Sequence, residues 1–332
     1  EISCSLVGSE MCIRDRNVGV DFALFRHRLS GTIEYYNKYS VDLLAAINGS
    51  PTQGFGYTTL MTNNGKMVNR GVEITLSGEI IRQKDFSWNA SLLYAFNRNK
   101  VKHISVQPSL WDSRISMPTS YPMVGKPLYG IYAYKWAGLN ENGDPQVYDA
   151  ENNVTSGPAR DYHALVYCGT TVPIHNASLT NVLRYKGFEF SAMLILDAGH
   201  KLRSSNIPSI NMSNGRITST AKGIVDRWTQ PGDVTDVPRL LFSNDTENFN
   251  THRTELYRYS DLFVYDASNI RLSNISLAYR VPAHWCKKIS LSGARLQFNV
   301  ENVATFAFDS KANYDLGGKV KPNYVWGLYL NF

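Results

Sequence analysis

Hydrophobic and polar positions alternate with a period of two through most of this chain. In residues 321–332, Tyr324, Trp326, Leu328, Leu330 and Phe332 share one strand face, while Val325, Gly327, Tyr329 and Asn331 share the other. A terminus that frays in water gains nothing from a final Phe in register with an apolar face. The pattern fits a strand with one face against lipid and its last ring at the interface. The same alternation predicts hairpins upstream. Val18, Val20, Phe22 and Leu24 share a face, a polar turn at Arg26-His27 follows, and Leu29, Gly31, Ile33 and Tyr35 then alternate with Ser30, Thr32, Glu34 and Tyr36. A second hairpin sets Val72, Ile74, Leu76, Gly78 and Ile80 against Glu73, Thr75, Ser77 and Glu79. It turns at 82–85 and returns with Phe86, Trp88, Ala90, Leu92, Tyr94 and Phe96 on the apolar face, Leu93 being the exception on the polar one. A third carries Ala177, Leu179, Asn181 and Leu183, turns at 185–187, and continues through Phe188, Phe190, Ala192, Leu194 and Leu196. Met193 and Ile195 soften the contrast on its polar face. Further strands are predicted at 128–139, 268–282, 289–302 and 323–332.

The connections have their own pattern. Short turns near 26, 84, 186 and 285 alternate with long excursions at 41–68, 99–127 and 199–259. The clearest strands match or exceed the ~9–11 residues that cross a bilayer obliquely, whereas soluble strands average about five or six. Residues 218–229 are compatible with a short helix, and Asn140 to Pro145 read as a turn. Structureless loops of this length are usually functional. Alternating short turns and long loops are the mark of outer-membrane barrels. The fold class read here is therefore all-β, an antiparallel transmembrane β-barrel with short periplasmic turns and long extracellular loops. A soluble glycan-binding β-sandwich, suggested by exposed Trp and Tyr, is the alternative.

Composition agrees with a barrel. The 332 residues include 12% aromatics, and 20 Tyr outnumber 14 Phe and 6 Trp, as suits surfaces where apolar and wet regions meet. A mean hydropathy of −0.27 excludes a bundle of membrane helices, and no apolar run approaches the ~20 residues that a spanning helix needs. A barrel hides from such an average because its strands alternate. The net charge of +6 comes from scattered Lys and Arg without a basic run, so nucleic acid is not an expected partner.

Candidate chemistry is sparse. Cys4, Cys12, Cys168 and Cys286 show no metal-ligand spacing, the seven His form no paired motif, and no metal or cofactor is expected. Gly54-Phe55-Gly56 lacks a third Gly and a following helix, and Asn140 to Asp144 lacks the spacing and distal Glu of a calcium loop. No paired carboxylates or nucleophile motif mark an enzyme. Residues 1–16 break the strand pattern and lack signal-peptide architecture. Within them, residues 5–16 resemble a translated sequencing-adaptor segment. They are expected to be a non-native or disordered leader, with 17–332 as the folded part.

Asn64-Gly65-Lys66-Met67-Val68-Asn69-Arg70-Gly71-Val72-Glu73, then Phe86-Ser87-Trp88 and Asn97-Arg98-Asn99-Lys100-Val101, resemble the C-terminal barrel of SusC/RagA-type TonB-dependent transporters. Tyr185 to Glu189 resembles the family's hairpin, and Arg227-Trp228, Pro231-Gly232-Asp233 and Pro238-Arg239 resemble its long external loop. The most specific stretch is Leu262 to Ser268, followed by Ile270 to Tyr279 and Val281-Pro282. Gly327 to Phe332 closes the series, so the resemblance spans about residues 17–332 in order. Asn69 and Gly71 suit the entry of a strand from a loop, Glu73 is expected to point into the lumen, and Asp266 and Arg271 are expected to order a loop-to-strand transition.

The resemblance implies import of a nutrient, commonly an oligosaccharide or peptide, across the outer membrane of a Bacteroidota-type bacterium. It also implies a SusD-like surface lipoprotein as lid and energy from TonB, acting through a plug and N-terminal segments that this sequence does not contain. At ~10 residues per strand the chain holds roughly ten or eleven strands, about the C-terminal half of a 22-stranded barrel. The pattern of Tyr324, Trp326, Leu328, Leu330 and Phe332 resembles the signal read by the barrel-assembly machinery. Trp111, Tyr121, Trp136, Trp228 and Tyr257 lie in or beside loops, where they can stack on substrate rings or serve as girdle and loop-core residues. A passive outer-membrane pore is the remaining alternative.

Overall fold

The computed structural model describes residues 12–48, 59–104, 112–157, 161–212, 221–242, 251–288, 290–316 and 321–332. Residues 1–11 of the leader, the Gly54–Gly56 segment and Trp111 lie outside the described residues. Nine strands form one sheet: β1 (Cys12–Leu24), β2 (Leu29–Asn48), β3 (Thr59–Arg82), β4 (Phe86–Ile104), β5 (His175–Tyr185), β6 (Phe188–Ala198), β7 (Asn269–Arg280), β8 (Gly293–Ala307) and β9 (Asn323–Asn331). Each strand pairs antiparallel with the next in sequence. A single continuous meander excludes the two-sheet sandwich. Among the described residues the outer edges of β1 and β9 have no strand partner.

The register turns the alternation into rows across the sheet. One apolar row reads Val20, Ile33, Ile74, Tyr94, Ala177, Leu196, Ile270 and Phe306. Another ends Leu183, Phe190, Leu277, Phe298 and Trp326. A row on the opposite face reads Ala23, Ser30, Ser77, Ser91, Thr180, Met193, Asn274, Glu301 and Asn323. In hydrocarbon only the first face can lie outward, so the polar face lines the lumen. Polar contacts follow this division. On the lumen face Glu189 accepts from Arg184 at 2.8 Å and from Arg295 at 3.1 Å. On the lipid face Asn181 is satisfied by the Trp88 indole N–H at 3.1 Å. Gly71 sits opposite Tyr36 inside β3 rather than at its entry; a Cβ there would collide with the Tyr36 phenol and the Phe96 carbonyl.

Several expectations change. The main sheet has nine strands instead of ten or eleven because the strands run from 9 to 24 residues. Much of the 41–68 excursion is strand, β2 reaching Asn48 and β3 starting at Thr59. Pairing between a largely apolar β2 arm, Val41 to Asn48, and a largely polar β3 arm replaces period-two alternation there. A bulge at Ile80 brings Ile81 opposite Trp88, so the β3 alternation slips at its end. Residues 128–139 split into Gly130–Tyr134 and Trp136–Leu139, which pair outside the main sheet. Of the short helix expected within 218–229, residues 218–220 lie outside the described residues and Lys222–Asp226 form a five-residue 3₁₀ helix, while an unforeseen α-helix spans Thr251–Arg258. Cys12 to Arg16, set aside with the leader, extend β1 along β2. Cys12 is disulfide-bonded, whereas Cys168 and Cys286 are free.

The strands join at one end through residues 25–28, 83–85, 186–187 and 281–292, and at the other through 49–58, 105–174, 199–268 and 308–322. Lys186 and Gly187 make the two-residue β5–β6 turn, with Lys186 in the left-handed region at φ 52°. The two longest connections carry the candidate site.

Candidate functional site

Connections 105–174 and 199–268 fold together into one body. Tyr132, Tyr134, Val147, Ala164 and Leu165 from the first pack with Leu256 from the second, and Trp136 reaches into the cluster of Ile210, Tyr257 and Phe263. These are among the most deeply buried side chains described, because the barrel wall is one sheet thick and has no interior of its own. Backbone contacts cross the seam. Tyr134 N–H donates to the Tyr259 carbonyl at 2.9 Å, Trp136 N–H to Asp261 Oδ1 at 2.9 Å, and Arg203 Nη2 to the Tyr132 carbonyl at 2.6 Å. Burial first, then Glu255, raises the Tyr134 phenol above its ordinary range.

One buried charge cluster locks the seam. The turn at Asn140 is an Asx turn in which its Oδ1 accepts from the N–H groups of Asn142 and Asp144, each at 2.9 Å. Gly143 takes φ +73°, with the Trp228 ring where a Cβ would stand. This aims the Asp144 carboxylate at Arg253 Nε (2.9 Å) and Arg239 Nη2 (2.8 Å). Arg253 is only 3% exposed and also donates to the carbonyls of Ile210 and Arg239 and to Asn211 Oδ1.

At the foot of the body, Lys201 Nζ lies 3.1 Å from Asp266, which also accepts from Ser268 N–H at 2.8 Å. Burial pushes the Asp266 carboxyl up, but the Ser268 hydroxyl and N–H and the Lys201 ammonium outweigh it and bring it down to about 2. Asp266 thus does order the loop-to-strand transition. Arg271 lies 3.7 Å from Asp197.

Beside the Asx turn opens a cleft of about 720 Å³, lined by Leu139, Asn140, Glu141, Asn142, Trp228 and residues 231–235. Its Asp233 carboxylate accepts from Thr229 N–H and Oγ1 at 2.8 Å and from Gln230 N–H at 3.0 Å. The Thr229 N–H, its hydroxyl and the Gln230 N–H hold Asp233 below the usual carboxylate range. An indole beside carboxylates and carboxamides can stack on a ring while accepting from hydroxyl or ammonium donors.

Of the loop aromatics expected to contact substrate, Trp228 lines this cleft. Trp136 instead braces the body, its ring 5.9 Å from Tyr257 and its Nε1 donating to Asp236 at 3.0 Å. Tyr257 is 2% exposed and stands edge-on to Phe263, so it takes the loop-core role and has no free face for a ligand. Tyr121 lies half-buried after the short helix Ser113–Ser116, away from the cleft. The cleft residues missed in the sequence, Asn140 to Asn142 and Asp233, sit in Gly-Asp and Pro-Gly-Asp turns. Turn chemistry marked each segment; nothing local marked their meeting. Tyr324, Trp326, Leu328 and Leu330 project from the lipid face of β9 opposite Val300, Phe298, Leu296 and Ala294, and Trp326 packs 4.2 Å from Phe298. Phe332, just beyond the strand, is 92% exposed.

Residues 14–303 match the family model described as TonB dependent receptor-like, beta-barrel. TonB-dependent receptor P3 of Formosa agariphila is 25% identical over 334 residues, covering 94% of this chain and 32% of that protein. TonB-dependent receptor SusC of Bacteroides thetaiotaomicron is 24% identical over 300 residues, covering 86% of this chain and 28% of that protein. The solved structure of the RagAB peptide transporter superposes with a TM-score of 0.74 at 21% identity, over 97% of this chain and 35% of that one. The chain thus spans about a third of the length of these relatives.

Proposed function

Since the chain belongs to the TonB-dependent receptor β-barrel family, whose members are outer-membrane transporters and not enzymes, we propose that it supplies the C-terminal barrel wall and two substrate-facing loops of a nutrient importer. The observation that carries this reading is the fused loop body seated on a wall with an apolar exterior and a polar lumen. A body with its own core holds a cleft in fixed geometry at the extracellular mouth. The Trp228 cleft, rich in acceptors beside one indole, favours an oligosaccharide, since sugar hydroxyls supply donors and sugar faces stack on rings. A peptide, the cargo named for the RagAB relative, is the second reading.

Within this proposal a SusD-like lipoprotein lids the loop body, and TonB acts through parts of the protein outside this chain. The two free sheet edges pair with strands of the remaining barrel, because unpaired backbone groups in hydrocarbon cost several kcal/mol each. The same argument disfavours a passive pore built from these nine strands. The barrel-assembly machinery reads the β9 aromatics. The central test is Trp228→Ala in the full-length transporter, titrated calorimetrically with oligosaccharide and peptide panels. Losing a stacked ring worth ~1.5 kcal/mol weakens binding about tenfold. Unchanged affinity for every ligand the parent binds would sink the cleft assignment.

A further inference from the structure

The connection 199–268 leaves β6 and returns to β7 through a narrow neck. Lys201–Arg203 pair antiparallel with Val264–Asp266. Below them the Ala267 N–H donates to the His200 carbonyl at 3.0 Å, and the Gly199 N–H donates to Ser268 Oγ at 3.0 Å. Gly199 turns the chain off the wall at φ +78°, beside Ile174 and His175. His200 therefore stands at the root of the neck, where the loop body meets the barrel. It is 9% exposed, and its Nδ1 is buried without a hydrogen-bond partner.

The polar groups around this ring are already engaged. Asp266, across the neck, accepts from Lys201 Nζ at 3.1 Å and from the Ser268 N–H at 2.8 Å. Asp197, near the end of β6, lies 3.7 Å from Arg271 of β7. His175, where β5 starts, meets the Tyr94 phenol through its own Nδ1 at 2.8 Å. A neutral imidazole can stand at position 200 with Nδ1 as a bare acceptor. The imidazolium carries N–H on both nitrogens, and its Nδ1–H then points where the closed neck offers no acceptor. Burial lowers the His200 pKa from its ordinary value, against the pull of Asp197 and Asp266 in the other direction.

We propose that His200 is a proton-operated pin at this hinge: neutral, it lets the neck close on the wall, and protonated, it opens the neck and frees the foot of the loop body. Histidine is the side chain whose charge ordinarily changes between pH 5 and 8. A ring that is harder to protonate in the closed neck than in the open one adds stability that is complete above about pH 6.5, the ordinary histidine value, and that is lost as pH falls below it. Over the interval in which the open form binds one proton more, the opening constant rises up to about tenfold per pH unit. The pin acts on the hinge and not on the cargo, so it stands or falls apart from the Trp228 cleft.

The test is hydrogen exchange on the full-length transporter between pH 7.5 and pH 5, corrected for the intrinsic pH dependence of amide exchange. Opening at the Ala267 amide should rise about fivefold or more across that range in the parent, while β3 and β4 amides stay level. H200Q should flatten the profile, because glutamine does not titrate, and H175Q should keep the parent's rise. If H200Q does not assemble, H200F is read in the same way. A flat parent profile, an equal rise in β3 and β4, loss of the rise in H175Q, or a rise that survives in an assembled H200Q or H200F protein overturns the proposal.

Discussion

Asp144→Asn should open the loop body without touching the barrel. The substitution keeps the shape of the side chain and removes its charge. Arg253 then loses its Asp144 carboxylate while staying almost fully enclosed, and the carbonyls of Ile210 and Arg239 and the Asn211 amide oxygen still accept from it. Breaking a buried ion pair from one side costs about 3–5 kcal/mol. Because three acceptors remain, the lower end applies, and ~3 kcal/mol raises the open population roughly a hundredfold. Arg239→Gln is the internal control. It leaves the Arg253–Asp144 contact in place, and the Arg239 side chain is 23% exposed against 3% for Arg253, so its loss should cost clearly less, about 1–2 kcal/mol. Hydrogen exchange on the full-length protein reads the difference directly. Protection at the amides of 131–134 should fall about a hundredfold in Asp144→Asn, while β3 and β4 amides stay unchanged. Adding Arg253→Met to Asp144→Asn should restore most of the protection, since no buried charge then lacks a counter-charge. Equal losses from Asp144→Asn and Arg239→Gln, or no recovery in the double variant, would refute the assignment of Asp144 as the lock.

Three other outcomes follow from the same geometry. Leu76→Arg, on the lipid face in mid-strand, should cost ~2–4 kcal/mol in lipid and Thr75→Arg, on the lumen face, much less; equal costs in an unfolding titration would reverse the two faces. Phe332→Ala removes one exposed ring, worth ~1–3 kcal/mol in a large barrel, yet it should lower surface levels of the full-length protein sharply; normal levels would remove the assembly role. Burial, reinforced by Asp261, pushes the Cys168 thiol up to about 11, so at pH 8 its thiolate is scarce and alkylation should run on the order of a hundredfold slower than at a free cysteine. The rate should climb about tenfold per pH unit until near pH 11; a plateau near pH 8.5 would show an ordinary thiol.

The barrel wall was legible in the sequence because its determinants are local. A strand that meets lipid on one side and water on the other must alternate, and that rule alone placed Ile74, Leu76, Tyr94 and Leu194 on one face and Thr75, Ser77 and Ser91 on the other. Tyr324, Trp326, Leu328 and Leu330 of β9 obey it, and Phe332 follows just beyond the strand. The rule fails where neither surface is lipid. Above the membrane, β2 continues through the apolar run Val41 to Ile47 and β3 starts through Thr, Asn and Gly; the two pair with each other without a period-two signature, and the bulge at Ile80 shifts register with no local cue. The loop body lay beyond reach of any window. Its core joins Tyr132 and Val147 to Leu256 over a hundred residues away, and its helix Thr251–Arg258 buries an arginine that pairs with Asp144 on the other loop. Trp136, Trp228 and Tyr257 looked alike in sequence. The packing of two loops made one a brace, one the wall of a cleft and one a buried core residue, because exposure belongs to the neighbours a side chain finds and not to its type.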